Sequence, residues 1–225
     1  MNFERALSEL TPMLLVGAKM TVYVSIVSIV IGIVVGLLAC FMVRSRIPIL
    51  RWIANIYIWI IRGTPMLVQA YLIYFAMPSV IRLAIPGFRL AETTASIITL
   101  SLNAGAYLAE IFRGGIAAVP KGQSEAARSL GLGSGRTMMK VVLPQAVKIS
   151  IPSMVNQFII TVKDTSILSV IGLADLTNLT KQWVGATYQF FPGYVLLAVF
   201  YLAIISVLMI ISKHIERKFS YERKN

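Results

Sequence analysis

The sequence predicts an all-α integral membrane protein with five transmembrane helices, and two observations support this prediction. Of its 225 residues, 57% are hydrophobic and only 13% are charged, whereas soluble domains contain about 25% charged residues. Residues 20–43, 63–81 and 182–212 carry no charged side chain. Runs of this length match the roughly 20 apolar residues that a transmembrane helix needs.

The five predicted spans form one membrane domain that occupies the whole chain, 1–225. The spans are placed at residues 20–43, 52–77, 93–116, 149–172 and 193–213. In the first span, small residues recur at steps of four, which allows close helix packing in lipid. These residues are Ser28, Gly32, Gly36 and Cys40. The second span is interrupted at Pro65, which cannot donate a backbone hydrogen bond. Arg62 lies just before this break.

The lysines and arginines predict how the chain is oriented. With these spans, 14 cations fall on one side: Arg44, Arg46, Arg51, Arg113, Lys121, Arg128, Arg136, Lys140, Lys148, Lys213, Arg217, Lys218, Arg223 and Lys224. The other side holds only Arg5, Lys19, Arg82, Arg89 and Lys181. The positive-inside rule therefore places the N-terminus outside and the C-terminus in the cytoplasm. The net charge of +12 reflects this orientation and does not indicate nucleic-acid binding.

Polar and ionisable side chains inside the third and fourth spans are candidates for a substrate pathway, because such residues usually face the bundle interior or a wet cavity. The candidates are Asn103, Tyr107, Glu110, Asn156, Lys163, Asp164, Thr165 and Ser166. Arg113 follows Glu110 by three residues and can pair with it. Arg62, Pro65 and Arg113 are assigned structural roles. The alternative for the whole set is a buried ion network that fixes helix register.

Metal, haem and nucleotide chemistry have no candidate residues in this chain. His214 is the single histidine, and no H-E-x-x-H motif is present. The segment "GLGSGRT" at 131–137 lacks the spacing and the lysine of a phosphate loop. If the protein uses ATP and magnesium, we expect another chain to bind them, and no cofactor is expected here.

The segment 117–149 between the third and fourth spans is predicted to hold a short helix, "QSEAARSL". Gly131 stands where a C-terminal glycine cap is expected. Ala126, Ala127 and Leu130 form a narrow apolar face on this helix. Such a face suits docking into the groove of a partner.

This segment resembles the EAA loop of ABC importer permeases. The matching residues are Glu125, Ala126, Ala127, Gly131, Leu143 and Pro144, with Val141 where isoleucine is usual. The stretches "RGTPMLVQ" at 62–69, "AYLAEIFRGGI" at 106–116 and "KDTSILSVI" at 163–171 are similar to the polar amino-acid permeases of the histidine, glutamine, arginine and opine group. The resemblance covers roughly residues 15–215.

The resemblance implies the bundle of a type I ABC importer permease in a prokaryotic cell membrane. It implies a second permease copy or a close paralogue, two ATP-binding subunits and an extracellular or periplasmic amino-acid-binding protein. The helix within 117–149 would be the coupling helix, which moves with the ATPases and drives alternating access. Its coupling residues would be Glu125, Ala126, Ala127, Leu130 and Gly131.

The substrate expected from these residues is a basic amino acid, arginine, histidine or lysine, because Glu110 and Asp164 could pair with a cationic side chain. The alternative within the same family is glutamine or glutamate, in which case these carboxylates are structural. A secondary transporter that works without ATP is a more distant alternative, and the EAA-like segment argues against it. A membrane scaffold without transport activity is a third alternative, in which Glu110, Lys163 and Asp164 would tolerate substitution.

Overall fold

The computed structural model describes residues 2–221, with side chains described through Arg217. The side chain of Lys218, and the predicted cytoplasmic residues Arg223 and Lys224, lie outside the described part. Eight helices follow one another: α1 Phe3–Val43, α2 Pro48–Gly63, α3 Met66–Ala84, α4 Glu92–Ala117, α5 Lys121–Ser129, α6 Ser134–Ile171, α7 Leu176–Thr187 and α8 Phe190–Tyr221. Five of these, α1, α3, α4, α6 and α8, are long and apolar enough to cross a membrane, which confirms the predicted class and number of spans.

The predicted interruption of the second span, 52–77, is confirmed, but the helix long enough to cross a membrane is α3, Met66–Ala84. The backbone breaks at Thr64 and Pro65, which are both extended with ψ values of 146° and 139°. The two pieces, α2 and α3, both contact α4. The Tyr57 hydroxyl of α2 donates to the Leu102 carbonyl at 2.7 Å, and the Tyr74 hydroxyl of α3 donates to Glu92 at 2.9 Å. The proline therefore divides the predicted span into two helices that both pack against α4.

The fourth predicted span, 149–172, is too short at its start, because α6 begins at Ser134. The reason is a π-helical turn at Met138–Val142, two residues before Pro144. A proline frees the carbonyl four residues earlier, and the wider π turn accommodates this loss without ending the helix. The same arrangement, a five-residue π turn with a proline two residues after it, occurs at Ala6–Leu10 and at Leu72–Ala76.

The centre of the bundle is the interface between α1 and α4, and it confirms the predicted small-residue packing. Ser28, Gly32, Gly36 and Cys40 are all buried. A Cβ atom at Gly36 would lie 2.8 Å from the Cβ atom of Leu108 and 2.9 Å from a backbone oxygen of α4. Only a residue without a side chain allows the two helix axes to come this close.

The first turns of the chain pack against the α7–α8 hairpin. The residues before the first predicted span continue α1 without a break, and Leu10 and Leu14 are fully buried there. The indole N–H of Trp183 donates to the Glu9 carboxylate at 3.0 Å. The N-terminal residues therefore add to the core and are not a separate surface segment.

Candidate functional site

The predicted coupling helix is α5, and its end has the geometry of a Schellman cap. Gly131 has a φ of +82°. Its N–H donates to the Arg128 carbonyl at 2.9 Å, and the N–H of Leu132 donates to the Ala127 carbonyl at 3.1 Å. These are the two bonds of the motif, so the predicted role of Gly131 as a cap is confirmed.

The structure divides the predicted apolar face of α5 between two sides. Ala127 is 5% exposed and lies inside the chain, and α5 packs against the π turn of α6. Ala126 and Glu125 are exposed, and Leu130 is 84% exposed. The surface that remains open to a partner therefore consists of Glu125, Ala126 and Leu130, while Ala127 anchors the helix to α6.

Glu110 on α4 forms the centre of a charged cluster. Arg113, one turn later, donates to it from Nε at 3.1 Å and also from its terminal nitrogen. Arg62, from the last turn of α2, approaches the same carboxylate at 3.5 Å and lies 5.4 Å from the centre of the Tyr107 ring. The predicted pairing of Glu110 with Arg113 is confirmed. Arg62 forms an ion pair with Glu110 across the α2–α4 interface, and it also makes a cation–π contact with the Tyr107 ring.

Asn103 is buried and forms a hydrogen bond with Gln69, which is not among the predicted site residues. Its side-chain amide donates to the Gln69 side-chain oxygen at 3.0 Å. The Gln69 amide in turn donates to the Ile61 carbonyl at 2.7 Å and to the Thr64 carbonyl at 3.0 Å. Gln69 therefore satisfies carbonyls at the end of α2 that the break leaves without helical partners. The available signal was a lone amide in an apolar run just after Pro65.

The fourth-span residues lie partly on the surface of α6 and partly inside the bundle. Asn156, Ile160 and Lys163 are exposed and lie along one stripe. Asp164 and Ser166 are half-buried. Thr165 is fully buried, and its hydroxyl donates to the Val162 carbonyl at 2.8 Å.

Two of the predicted pathway residues lie inside the chain. The side chains of Asn103 and Thr165 are buried and form hydrogen bonds within the protein, and their place on a substrate pathway stays a prediction. Periodicity places a residue on a helix face, but it cannot show which neighbouring helix covers that face.

The two groups of ionisable residues lie at different depths of the bundle. Helices α4 and α6 are antiparallel, and the Ser150 hydroxyl donates to the Ile111 carbonyl at 3.4 Å. Glu110 is therefore level with the residue after Ser150. Lys163 lies about 12 residues further along α6, which corresponds to about 18 Å at a rise of 1.5 Å per residue. Glu110 does not share a binding site with Lys163 and Asp164.

The chemistry that this arrangement offers is the recognition of a small molecule. Within the described residues, no three histidine, cysteine or carboxylate side chains lie close enough to hold a metal ion. The exposed stripe of α6 offers one ammonium group and one amide, and the half-buried Asp164 beside it offers one carboxylate. These groups suit a small zwitterionic molecule.

Comparisons with a family model, with related sequences and with solved structures all indicate the same family. Residues 11–221 match the family described as binding-protein-dependent transport system inner membrane component. The glutamine transport system permease protein GlnP of Escherichia coli is 40% identical over 92% of this chain and 93% of its own length. The arginine transport system permease protein ArtQ of Bacillus subtilis is 36% identical over 92% of each chain.

Solved structures show the same bundle. The crystal structure of an amino acid ABC transporter with histidines superimposes with a TM-score of 0.90 at 36% identity, over 97% of this chain and 99% of that chain. The methionine ABC transporter MetNI, at 20% identity, superimposes with a TM-score of 0.75 over 92% of this chain and 96% of that chain, and shares the fold. The chain therefore belongs to the inner membrane components of binding-protein-dependent transport systems, as a multi-pass permease subunit of an amino-acid ABC importer.

Proposed function

We propose that this chain forms the pathway of a glutamine-type importer as one of two permease copies, with two ATP-binding subunits and an amino-acid-binding protein. The positive-inside distribution of the sequence supports an external N-terminus and a cytoplasmic α5. Alternating access then moves the bundle about a site within the membrane. ATP and magnesium bind to the partner ATPases.

The observation that carries the substrate assignment is the pairing of Glu110 with Arg62 and Arg113. A carboxylate that two guanidinium groups already neutralise is not available to the cationic side chain of arginine or histidine. This removes one of the two carboxylates on which the expectation of a basic substrate rests.

The proposed substrate contacts lie on α6. Lys163 is exposed and Asp164 half-exposed, at adjacent positions. Their charges complement the α-carboxylate and α-amino groups that every amino acid carries. Tyr107, Asn156 and Ser166 are further members of the pathway set, and the exposed amide of Asn156 suits the amide of a glutamine side chain. Glutamine would pair its α-carboxylate with Lys163 and its α-amino group with Asp164, and its uncharged side chain leaves no further charge to be paired.

Arginine is the second candidate, and one observation favours it. Asp164 has no ion-pair partner within 4.0 Å among residues 2–217. A guanidinium group could therefore reach this carboxylate if Lys163 and the pathway wall held the rest of the substrate. The 36% identity with the Bacillus subtilis arginine permease keeps this alternative open.

Coupling in this proposal runs from the ATPase through α5 to α6. The exposed residues Glu125, Ala126 and Leu130 would seat in the ATPase groove, and buried Ala127 would transmit the motion to the π turn of α6. Since α6 also carries Lys163, a rigid displacement of α5 reaches the substrate contacts through one continuous helix.

The test uses the complete complex, reconstituted in proteoliposomes with its ATPase and binding protein. Glutamine should stimulate ATP hydrolysis and be taken up, while arginine and histidine should do neither. Stimulation by arginine or histidine but not by glutamine would refute the substrate assignment. Uptake without ATP would refute the coupling to ATPases.

A matched pair of variants tests the proposed substrate contacts. Lys163→Gln should lower uptake at least 10-fold, because the substrate carboxylate loses its cation. Lys213→Gln, an exposed lysine on α8, should leave uptake within twofold. Equal uptake by the two variants would remove Lys163 from the site.

A further inference from the structure

The turn between α1 and α2 forms an open groove at the surface of the bundle. The groove has a volume of about 540 Å³ and is lined by Pro48, Ile49, Arg51, Trp52 and Asn55. It follows the uncharged run 20–43, which ends at Arg44. Since a transmembrane helix needs roughly 20 apolar residues, we place the groove at the boundary between hydrocarbon and headgroups.

Three arginines lie on or next to this turn: Arg51 lines the groove, and Arg44 and Arg46 precede it in the chain. Arg44, Arg46 and Arg51 are exposed, and no side-chain hydrogen bond or ion pair joins them to another of the residues 2–217. The sequence contains no aspartate or glutamate between Glu9 and Glu92. The turn therefore presents three free positive charges.

The apolar wall beside these charges argues for an amphipathic ligand. Trp52 is 62% exposed and Ile49 is 57% exposed, at positions three residues apart on the first turns of α2. Exposed tryptophan next to arginine is typical of membrane interfaces, where the ring lies among the headgroups. A soluble anion would use the arginines but would gain nothing from this apolar surface.

We propose that this groove binds an anionic phospholipid, with the phosphate at Arg51, the upper acyl chain against Ile49 and Trp52, and Arg44 and Arg46 adding positive charge on the adjoining turn. Clusters of basic residues next to a transmembrane helix attract anionic headgroups. The groove lies on an element other than the proposed substrate contacts of α6, and the inference does not depend on which amino acid is carried.

The test measures Trp52 fluorescence in the reconstituted complex with brominated lipids. The Trp59→Phe variant keeps Trp52 and the buried Trp183. The Trp52→Phe, Trp59→Phe double variant lacks Trp52 as well. Subtracting the fluorescence of the double variant from that of the single variant isolates the Trp52 signal. Brominated phosphatidylglycerol should quench this signal at a several-fold lower mole fraction than brominated phosphatidylcholine. Equal quenching by the two lipids would overturn the proposal.

Two triple variants separate the site from general charge. Replacement of Arg44, Arg46 and Arg51 by glutamine should abolish the preference for phosphatidylglycerol, whereas replacement by lysine should keep most of it. The matched control replaces three exposed cations elsewhere by glutamine: Lys19, Arg82 and Arg89. An equal loss in this control would overturn the proposal, because the effect would then follow net charge alone.

Two further outcomes would show that the arginines bind something other than a lipid. Relief of quenching by excess inorganic phosphate would show a soluble-anion site. Loss of the ATPase subunit from the glutamine triple variant, with its lipid preference unchanged, would show a protein-docking surface. Either result contradicts the lipid site. Amino-acid uptake is measured separately, so failure of the proposed transport function leaves the lipid result interpretable.

Discussion

The Asn103 side chain donates a hydrogen bond of 3.0 Å to the side-chain oxygen of Gln69, and so joins α4 to the broken crossing formed by α2 and α3. Both residues are buried, with 8% and 5% of their surfaces exposed. Because Gln69 also satisfies the carbonyls at the end of α2, this one contact fixes the break against the centre of the bundle.

We expect Asn103→Leu to destabilise the protein by about 1–3 kcal/mol, because it leaves the buried Gln69 oxygen without a donor. Thermal unfolding of the detergent-solubilised complex measures this effect. The exposed Asn156 provides the control, since Asn156→Leu should change stability by less than about 0.5 kcal/mol.

A double-mutant cycle tests whether the effect acts through the pair. Asn103→Leu combined with Gln69→Leu should cost less than the sum of the two single changes. Additive costs would show that the hydrogen bond does not couple the two helices.

Two helical glycines should respond in opposite ways to the same substitution. Gly36→Ala places a methyl group 2.8 Å from the Leu108 Cβ atom, and we expect a loss of about 1–3 kcal/mol from overpacking. Gly114→Ala meets no atom within 4 Å and should stabilise α4 by about 0.5–1 kcal/mol through reduced backbone entropy of the unfolded chain. Unfolding temperatures that fall equally in both variants would contradict the close approach of α1 and α4.

The cap of α5 can be tested without changing the docking surface. Gly131→Val forces a β-branched residue to a φ of +82°, which costs about 1–2 kcal/mol. We expect ATP hydrolysis to become uncoupled from uptake in this variant, while the protein still inserts into the membrane. Gly131→Asn should retain most coupling, because asparagine tolerates this conformation.

Gly133→Ala is the matched control for the cap. Gly133 has a φ of −64°, and a methyl group there would meet open space. This variant should transport like the original protein. Normal coupling in Gly131→Val would show that the cap does not position the helix.

Asp175 should make the stability of the α7 region depend on pH. The carboxylate is fully buried and accepts hydrogen bonds from the N–H groups of Asn178 at 2.9 Å and Thr177 at 3.1 Å. Burial raises its pKa above the ordinary value, although these hydrogen bonds oppose the shift. The folded protein therefore binds this proton more tightly than the unfolded chain does, and the associated stability is lost as the pH rises through the folded pKa.

The Asp175→Asn variant removes this titration while keeping a helix-capping side chain. Relative to the original protein, it should gain stability as the pH rises from about 4, the ordinary aspartate pKa, towards 7. Thermal unfolding over this range is the measurement. A stability difference that does not change with pH would show that Asp175 has the same pKa in the folded and unfolded states.

The helical class, the number of spans and the capped short helix α5 could be predicted from the sequence because each depends on local chemistry. Uncharged runs of about 20 residues indicate membrane spans, and Gly131 is recognisable as a cap from its position after a short helix. Pro65 indicated the interruption of the second span, but no local signal showed that the helix after it extends to Ala84. The π turn before Pro144 was missed because a proline there was read as the approach to a new helix.

The sequence by itself determined the residue types that membrane burial permits: small residues where helices touch, cations at the ends, and a few ionisable groups inside. The tertiary structure alone decided which of those groups meet. From the sequence, Glu110, Lys163 and Asp164 are candidates for one pathway. The antiparallel packing of α4 and α6 places Glu110 about 18 Å along the bundle from Lys163 and Asp164, given the rise of an α-helix. Helix periodicity fixes a residue's direction around its own axis, whereas its depth relative to another helix depends on contacts such as that of Ser150 with Ile111.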